Sequence, residues 1–285
     1  MAEDWSQEEV NLITYDYFDM LKQELRHLKY NKAAHNRALM PRLDGRSRGS
    51  IEFKHQNISA ALTESGKPYI KGYKPLPNNQ KILVEAVSRY VERHHAELNE
   101  LFTNFVTESI PDGPTTKIDF RKVLDTPPER SEEKTKNRSF KAFRINYLQM
   151  EQEYRRLGLL GEQFVFEYEK WRLSKAGHTK LAKKIKWVSR DEGDGPGYDI
   201  LSKNADGTDR YIEVKTTKLS KESPIFVSAN EIAFAEKNPD SFYLYRVFDA
   251  VAQKRMFIHR GPYDQFCRLE AVSYRGVFYR WSAFF

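Results

Sequence analysis

Two short segments in the C-terminal half constrain the fold of this chain most strongly. Gly-Tyr-Asp-Ile at 197–200 is followed, after a short polar stretch, by Tyr-Ile-Glu-Val-Lys at 211–215. Alternation along a strand places Glu213 and Lys215 on one face and their apolar neighbours on the other. If the two segments pair as a hairpin, Asp199 comes close to both charged residues. The sequence therefore predicts two carboxylates and an ammonium at one edge of a sheet.

These three groups suit metal-dependent cleavage of a phosphodiester. The carboxylates of Asp199 and Glu213 are the hard oxygen ligands that Mg²⁺ or Mn²⁺ prefers, and the carbonyl of Val214 is an additional candidate ligand. Lys215 would position the attacking water and stabilise charge on the phosphate in the transition state. The sequence predicts a catalytic set that also includes Glu162, on an upstream helix, as support for the metal shell.

The spacing of Asp199, a gap of 13 residues and then Glu213-Val214-Lys215 resembles the PD-(D/E)XK nuclease superfamily. The stretch from about 155 to 260 resembles one branch of it, the NO VEIN C-terminal-like domain. The residues behind this resemblance are Gly161-Glu162, Glu192-Gly193-Asp194-Gly195, the Ile-Glu-Val-Lys-Thr-Thr strand, Ser228-Ala229-Asn230-Glu231 and Tyr243-Leu244-Tyr245-Arg246. The resemblance implies a nuclease-like fold and, less directly, nuclease activity.

Each candidate also has a structural explanation. The hairpin charges could lie on a solvated face, and Glu162 could be a solvated helix carboxylate. Asn230 could cap the helix that follows it, while Glu231 could interact with the helix dipole. The acidic residues at 191–194 fit a polar turn before a strand. These alternatives remain open at the level of sequence.

Charge and composition indicate the class of partner. The 285 residues carry a net charge of +7, and Lys22 to Lys81 alone holds 13 basic against 4 acidic residues. Such a basic region suits nucleic acid, here DNA. No apolar run approaches the roughly 18 residues of a membrane-spanning helix, so we expect no membrane contact and a cytoplasmic location. With Cys267 as the one cysteine, no internal disulfide is expected.

Helical periodicity predicts an N-terminal domain over 1–108, with helices at 6–29, 31–43, 51–65 and 79–107. Residues 5–108 resemble an N-terminal module of restriction-type endonucleases. This weaker resemblance rests on Tyr30-Asn31-Lys32-Ala33-Ala34-His35, the segment 49–59 and Gly72-Tyr73-Lys74-Pro75. The predicted DNA contacts are Arg46, Arg48, Lys54, Asn57, Lys71 and Lys74.

The expected fold class is α+β (α/β), with an all-helical N-terminal domain and a PD-(D/E)XK-like C-terminal domain built on a mixed sheet flanked by helices. A charged, proline-containing linker is predicted over 109–148, ahead of the second domain at 149–285. Strands are expected near 185–189, 198–202, 210–217, 224–228, 242–248 and 255–259.

Taken together, these features predict a Mg²⁺-dependent DNA endonuclease of the restriction or phage-defence type. We expect it to act as a homodimer or with other defence-system subunits. An alternative is a catalytically inactive nuclease fold that reads DNA, including modified DNA, and recruits a partner. A scaffold for protein partners is a third, weaker interpretation.

Overall fold

The fold is mixed α+β, as predicted, with an N-terminal helical region and a C-terminal sheet. The computed structural model describes residues 4–76, 80–107, 118–128, 147–193, 195–250 and 254–271. No helix within these ranges is long and apolar enough to cross a membrane.

Five helices form the N-terminal region: α1 (Gln7–Leu25), α2 (Lys32–Leu39), α3 (Arg48–Glu64), α4 (Lys81–Arg93) and α5 (His95–Thr107). A capping box of Ser6 and Glu9 begins α1. The helix expected at 79–107 is interrupted at His94, whose ring turns back to stack on Tyr90 at 4.1 Å between centroids. Ser47 caps α3, so this helix starts at residue 48, three residues before the predicted start.

The N-terminal core forms where α1 packs between α3 and α4. Ile13, Tyr17, Phe18 and Leu21 recur at helical spacing and are fully buried. Burial of each such side chain contributes about 1.5–3 kcal/mol to folding. This core therefore lies along one continuous face of α1.

The C-terminal sheet has five strands in sequential order: β1 (Lys186–Trp187), β2 (Ile200–Lys203), β3 (Asp209–Thr216), β4 (Phe242–Phe248) and β5 (Arg255–Arg260). Strands β3 and β4 are parallel, and the other neighbours are antiparallel. The strand predicted at 224–228 is wrong, because this segment is not part of the sheet. The carbonyls of Ser223 and Pro224 instead accept hydrogen bonds from the Arg246 side chain.

Helices cover both faces of the sheet. The long helix α6 (Tyr147–Lys175) packs on the face that carries Ile212 and Val214. Two single-turn helices, α7 (Thr179–Ala182) and α8 (Val188–Asp191), flank β1. The connection from β3 to β4 carries α9 (Ala229–Lys237), which packs on the opposite face with Phe242 and Leu244. Strand alternation in β3 thus sends its apolar residues toward α6 and its charged residues toward α9.

Part of the predicted linker is joined to the sheet. Leu124 forms a parallel bridge with Met256 at the edge of β5, and Phe120 packs on Phe164 and Trp171 of α6. Residues 118–128 therefore pack as part of the C-terminal region. Most of the remaining linker, including the charged stretch 129–141, and the aromatic segment 277–285 lie outside the described residues.

Gly161 sets the distance between α6 and β3. A Cβ at this position would lie 1.8 Å from Thr216 Oγ1 and 2.9 Å from Thr216 Cβ, whereas one at Gly158 would meet only Glu162 Oε1 at 3.8 Å. We therefore expect Gly161→Ala to lower the free energy of unfolding by about 1–3 kcal/mol through overpacking. Gly158→Ala in the same helix should raise it by up to about 1 kcal/mol. Urea titration measures both, and equal stability of the two variants would contradict the close approach.

Candidate active site

The predicted hairpin forms and brings Asp199 beside the charged residues of β3. Ile200 pairs with Ile212, and the Asp199 N–H donates to the Ile212 carbonyl at 2.9 Å. Two residues further along β3, the N–H of Val214 donates to Asp199 Oδ2 at 2.8 Å. The Asp199 carboxylate thus takes the place of a main-chain acceptor where the two strands separate. This hydrogen bond to the main chain holds the Asp199 side chain at the open end of the hairpin, beside the last residues of β3.

Lys215 lies between two carboxylates. Its Nζ is 2.7 Å from Glu213 Oε1 and 2.7 Å from Glu231 Oε2. The contact confirms that Glu213 and Lys215 share a face of β3. It also brings in Glu231, for which the sequence left a dipole interaction open.

The first turn of α9 holds Glu231 in place. Ser228, not Asn230, is the N-cap residue, and Glu231 completes a capping box by reaching back to the Ser228 N–H. The Asn230 side chain instead donates to the Gly195 carbonyl at 2.8 Å. Because one carboxylate serves both the cap and Lys215, the start of α9 is tied directly to the charged end of β3.

Glu162 approaches the same cluster from α6. Its Oε2 accepts a hydrogen bond from Trp187 Nε1 at 2.7 Å and another from the Ser189 hydroxyl. These donors orient the carboxylate, and its charge contributes to the raised pKa of Asp199. Glu162 is therefore an oriented group near the site rather than a freely solvated one.

Burial and mutual repulsion shift the acid–base behaviour of these groups. Burial, followed by the charges of Glu213 and Glu162, raises the pKa of Asp199. Burial also raises the pKa of Glu213 to about 8, against the opposing effect of Lys215. Although burial disfavours its charge, the Glu213 and Glu231 carboxylates raise the pKa of Lys215. The Lys215 ammonium is thus favoured in its charged form, while Asp199 and Glu213 keep a proton to higher pH than ordinary carboxyl groups.

Tyr263 belongs to the same face and was missed by the sequence analysis. It is 1% exposed, and its hydroxyl has no hydrogen-bond partner within the described residues. Burial, and then the charges of Glu213 and Glu231, raise its pKa. Its position after Gly261-Pro262 gave no local pattern that could have identified it.

The donor set can be compared with what a divalent cation requires. In the described ranges, no three His, Cys, Asp or Glu side chains are grouped closely enough to hold a metal ion. Asp199 and Glu213 nevertheless supply two carboxylates, and their pKa values are raised first by burial and then by neighbouring negative charge. This set fits Mg²⁺ or Mn²⁺ if the main-chain carbonyl of Val214, water or substrate oxygens provide the other ligands.

Three of the residues predicted to contact DNA instead bond other groups of the protein. Arg46 Nε bonds Glu9 Oε1 at 2.7 Å. The Lys54 ammonium bonds Gln80 Oε1 at 2.7 Å, and the Asn57 amide donates to the Leu76 carbonyl at 2.8 Å. Lys54 and Asn57 are buried because they fall on the inner face of α3. Arg46, Lys54 and Asn57 therefore have a structural role here, which corrects their placement on a DNA-contacting surface.

The other three predicted contacts are exposed. Arg48 pairs with Glu52 at 2.9 Å but keeps 65% of its side chain exposed. Lys71 and Lys74 lie in the loop after α3, on either side of Tyr73, and both are exposed. These side chains can reach a phosphate without losing a buried contact.

Residues 161–259 match the family model described as Protein NO VEIN, C-terminal. The match confirms the NO VEIN C-terminal resemblance predicted from the sequence. A curated relative, Protein NO VEIN of Arabidopsis thaliana, is 27% identical over 105 residues. The aligned part covers 37% of this chain but only 4% of the plant protein. No solved structure matches the chain.

The NO VEIN C-terminal match spans every charged group of the cluster around Lys215, from Glu162 on α6 to Glu231 on α9. It leaves out Tyr263 and all of the N-terminal helices. The charged cluster is therefore a property of the matched region, while Tyr263 is supplied by the segment that follows it.

The raised pKa of Glu213 predicts a pH-dependent stability in EDTA. Between its ordinary value of 4.5 and its native value of about 8, the folded state binds more protons than the unfolded state. Stability should therefore fall as pH rises through this window. Relative to wild type, the free energy of unfolding of Glu213→Gln should gain up to about 5 kcal/mol between roughly pH 5 and pH 9. Urea titrations at several pH values measure this gain.

The matched control is Glu236→Gln, which removes an exposed carboxylate from α9. It should follow the pH dependence of wild type. A Glu213→Gln protein that also follows wild type would show that Glu213 is ionised without penalty in the native state.

Proposed function

We propose that this protein is a Mg²⁺- or Mn²⁺-dependent DNA endonuclease with a PD-(D/E)XK-type site. The observation that carries the proposal is the convergence of Asp199, Glu213 and Lys215, in which Asp199 accepts from the Val214 N–H and Glu213 pairs with the Lys215 ammonium. The cluster lies near the carboxyl end of β3, at the open end of the β2–β3 hairpin. Helices α6 and α9 lie on opposite faces of the sheet on either side of it. That the protein belongs to the PD-(D/E)XK nuclease superfamily is part of the same proposal.

Each residue has a distinct role in hydrolysis. Asp199 and Glu213, with the carbonyl of Val214, would hold the cation, which when bound polarises the phosphate and lowers the pKa of a water ligand. Lys215 would orient the attacking water and offset the negative charge that develops on the phosphate. Glu162, fixed by Trp187, would bind the outer water ligands of the metal.

Glu231 would position Lys215. The ammonium is shared between Glu213 and Glu231 at equal distances. With Glu213 as a ligand of the cation, Glu231 would still hold the ammonium beside the phosphate. The capping box keeps Glu231 fixed throughout, because it ties the carboxylate to the first turn of α9.

The proposal also covers how the protein would reach DNA and act in the cell. The basic N-terminal helices would bring DNA to the site, in a restriction or phage-defence protein that works in the cytoplasm. A homodimer, or a second defence subunit, would place two such sites on one duplex and convert nicks into double-strand breaks. Without such pairing, the expected product is a nick.

Cleavage of plasmid and phage DNA in Mg²⁺ or Mn²⁺ tests the catalytic roles. We expect Asp199→Asn and Lys215→Met to reduce the cleavage rate by at least about a hundredfold, since each removes a group that stabilises the transition state. Asp191→Asn is the matched control, because this exposed carboxylate pairs with Arg190 at 2.8 Å outside the cluster. Cleavage that persists in both site variants would contradict the proposal.

The alternative of an inactive DNA reader predicts a different result in the same assay. No substrate would be cut by wild type, while salt-sensitive DNA binding would survive in every variant. Methylated and unmodified phage DNA should both be included, because a reader of modified DNA would bind them differently.

Glu231→Gln tests the positioning role. Glutamine preserves the capping box but removes the charge that holds Lys215, so kcat should fall about ten- to a hundredfold with KM little changed. Ser228→Ala should instead lower the free energy of unfolding by about 1 kcal/mol, because it removes the cap of α9, and should leave kcat unchanged. Single-turnover kinetics and urea titration separate the two. An unchanged kcat in Glu231→Gln would restrict this residue to capping.

A further inference from the structure

A run of positive charge lies in the C-terminal region, close to the candidate active site. From Lys170 to Arg190 the chain holds eight basic and no acidic residues. Arg172 turns inward, where it bonds Glu169 and the Lys203 carbonyl. Four of the others are exposed and lie within one stretch of seven residues: Lys180, Lys183, Lys184 and Lys186. These four lysines form the basic edge.

The local structure of this segment turns all four lysines outward. Lys180, Lys183 and Lys184 lie three and four residues apart on the turn of α7 and its continuation, where such residues share one side. Lys186 follows on β1, the edge strand of the sheet. The apolar residues between the lysines pack into the core that α6 shares with the sheet: Leu181, Ala182 and Ile185. The outer surface of the segment is therefore dominated by ammonium groups.

The four ammonium groups of the basic edge are unpaired within the described part of the chain. By contrast, the ammonium groups of Lys22, Lys203 and Lys221 each contact a carboxylate. Like charges three and four residues apart on a helical turn repel one another. An anion lying across the basic edge would relieve that repulsion without breaking an existing ion pair.

The basic edge leads directly into the candidate active site. The main-chain N–H groups two and three residues after Lys186 donate to the Asp199 carbonyl at 2.8 and 3.1 Å. Trp187, the next residue after Lys186, donates from its Nε1 to Glu162 Oε2 at 2.7 Å. A polyanion that lies along the basic edge would therefore reach the carboxylates of the site.

The chemistry of the basic edge fits phosphates better than it fits a protein partner. Protein interfaces are depleted of lysine and have an apolar centre, whereas the apolar side chains of this segment are turned into the core. Surfaces that bind DNA are strongly positive, and at least half of their hydrogen bonds go to phosphates and sugars. Charge without exposed apolar area is thus the pattern expected of a backbone-binding surface.

We propose that the basic edge binds the phosphate backbone of the DNA that enters the site. Each ammonium contacts a phosphate, and the strand so held runs past β1 toward Asp199. The inference rests on the proposed function, since it assumes that the cluster around Lys215 acts on DNA. It gives the region that carries the site its own DNA contact, in addition to the exposed cations of the N-terminal region.

Neutralising two lysines of the basic edge tests the proposal. The full chain carrying Lys215→Met, kept in EDTA to prevent cleavage, is titrated with a DNA duplex at a series of salt concentrations. Each phosphate contact adds about 0.9 to the slope of the logarithm of the binding constant against that of salt concentration. We expect Lys183→Gln/Lys184→Gln to reduce the magnitude of this slope by about two and to weaken binding about tenfold, with Tm unchanged.

The matched control is Lys122→Gln/Lys237→Gln, which removes the same charge from exposed lysines near β5 and at the end of α9. It should keep the slope and the affinity of the parent protein. An equal loss in both double variants would show a response to net charge alone. Parental binding by Lys183→Gln/Lys184→Gln would show that the basic edge is only a solvated surface. Either result overturns the proposal.

The outcome is separable from that of the cleavage assay. Wild type that cuts DNA, with parental binding by Lys183→Gln/Lys184→Gln, overturns this inference alone. Wild type that never cuts, with a reduced salt slope in that variant, supports this inference and overturns the endonuclease. A parent protein without salt-sensitive affinity for DNA overturns the inference and leaves the basic edge to an acidic protein.

Discussion

The ammonium of Lys215 is the interaction on which the charged end of the sheet depends. Glu213 and Glu231 come from a strand and from the helix after it, and each lies 2.7 Å from the same Nζ. Without that charge, two carboxylates and the neighbouring Asp199 would repel one another in a largely buried setting. The position of α9 relative to β3 is thus determined by an ion pair as well as by apolar packing.

A second buried carboxylate, on helix α6, shows what a purely structural site looks like. Glu169 is fully buried and accepts hydrogen bonds from Arg172, Ser202 and Tyr245 at 2.6–2.8 Å. Both of its oxygens are satisfied. Glu213 has the Lys215 contact but retains a pKa of about 8, so its environment does not fully stabilise the charge. That difference between two buried glutamates favours a bound cation at Glu213 and a structural role at Glu169.

The sequence was most informative where the physics is local. Alternation within five residues placed Glu213 and Lys215 on one face, and hairpin pairing brought Asp199 to them. It was least informative where contacts join distant segments. Nothing near Glu231 indicates a bond to Lys215. Lys54 was misassigned because a basic residue on a helix is expected in solvent, whereas here its ammonium reaches Gln80 from the inner face.

The predicted strand at 224–228 failed for a related reason. Its apolar residues fit a strand, but a new strand must pair with a strand edge that has no other partner. Strands β3 and β4, which precede and follow this segment, pair with each other. Ser223 and Pro224 therefore give their carbonyls to the buried Arg246 side chain. Which edge is available is a property of the whole topology and is not encoded in the segment itself.

Two tyrosines beside His55 extend the same reasoning to the N-terminal region. The hydroxyl of Tyr17 is fully buried and satisfied, with Ser59 Oγ at 2.7 Å and the Ile70 N–H at 3.1 Å. The ring of Tyr73 lies 4.8 Å from that of His55. Burial raises the pKa of Tyr73 to about 12, while a hydrogen bond with the Asn36 side chain opposes that effect. His55 in turn faces Asp16, with 3.4 Å between Nε2 and Oδ2. The polar side chains of this core therefore face one another from α1, α2, α3 and the loop after α3, and such a set is defined by tertiary packing rather than by any one segment.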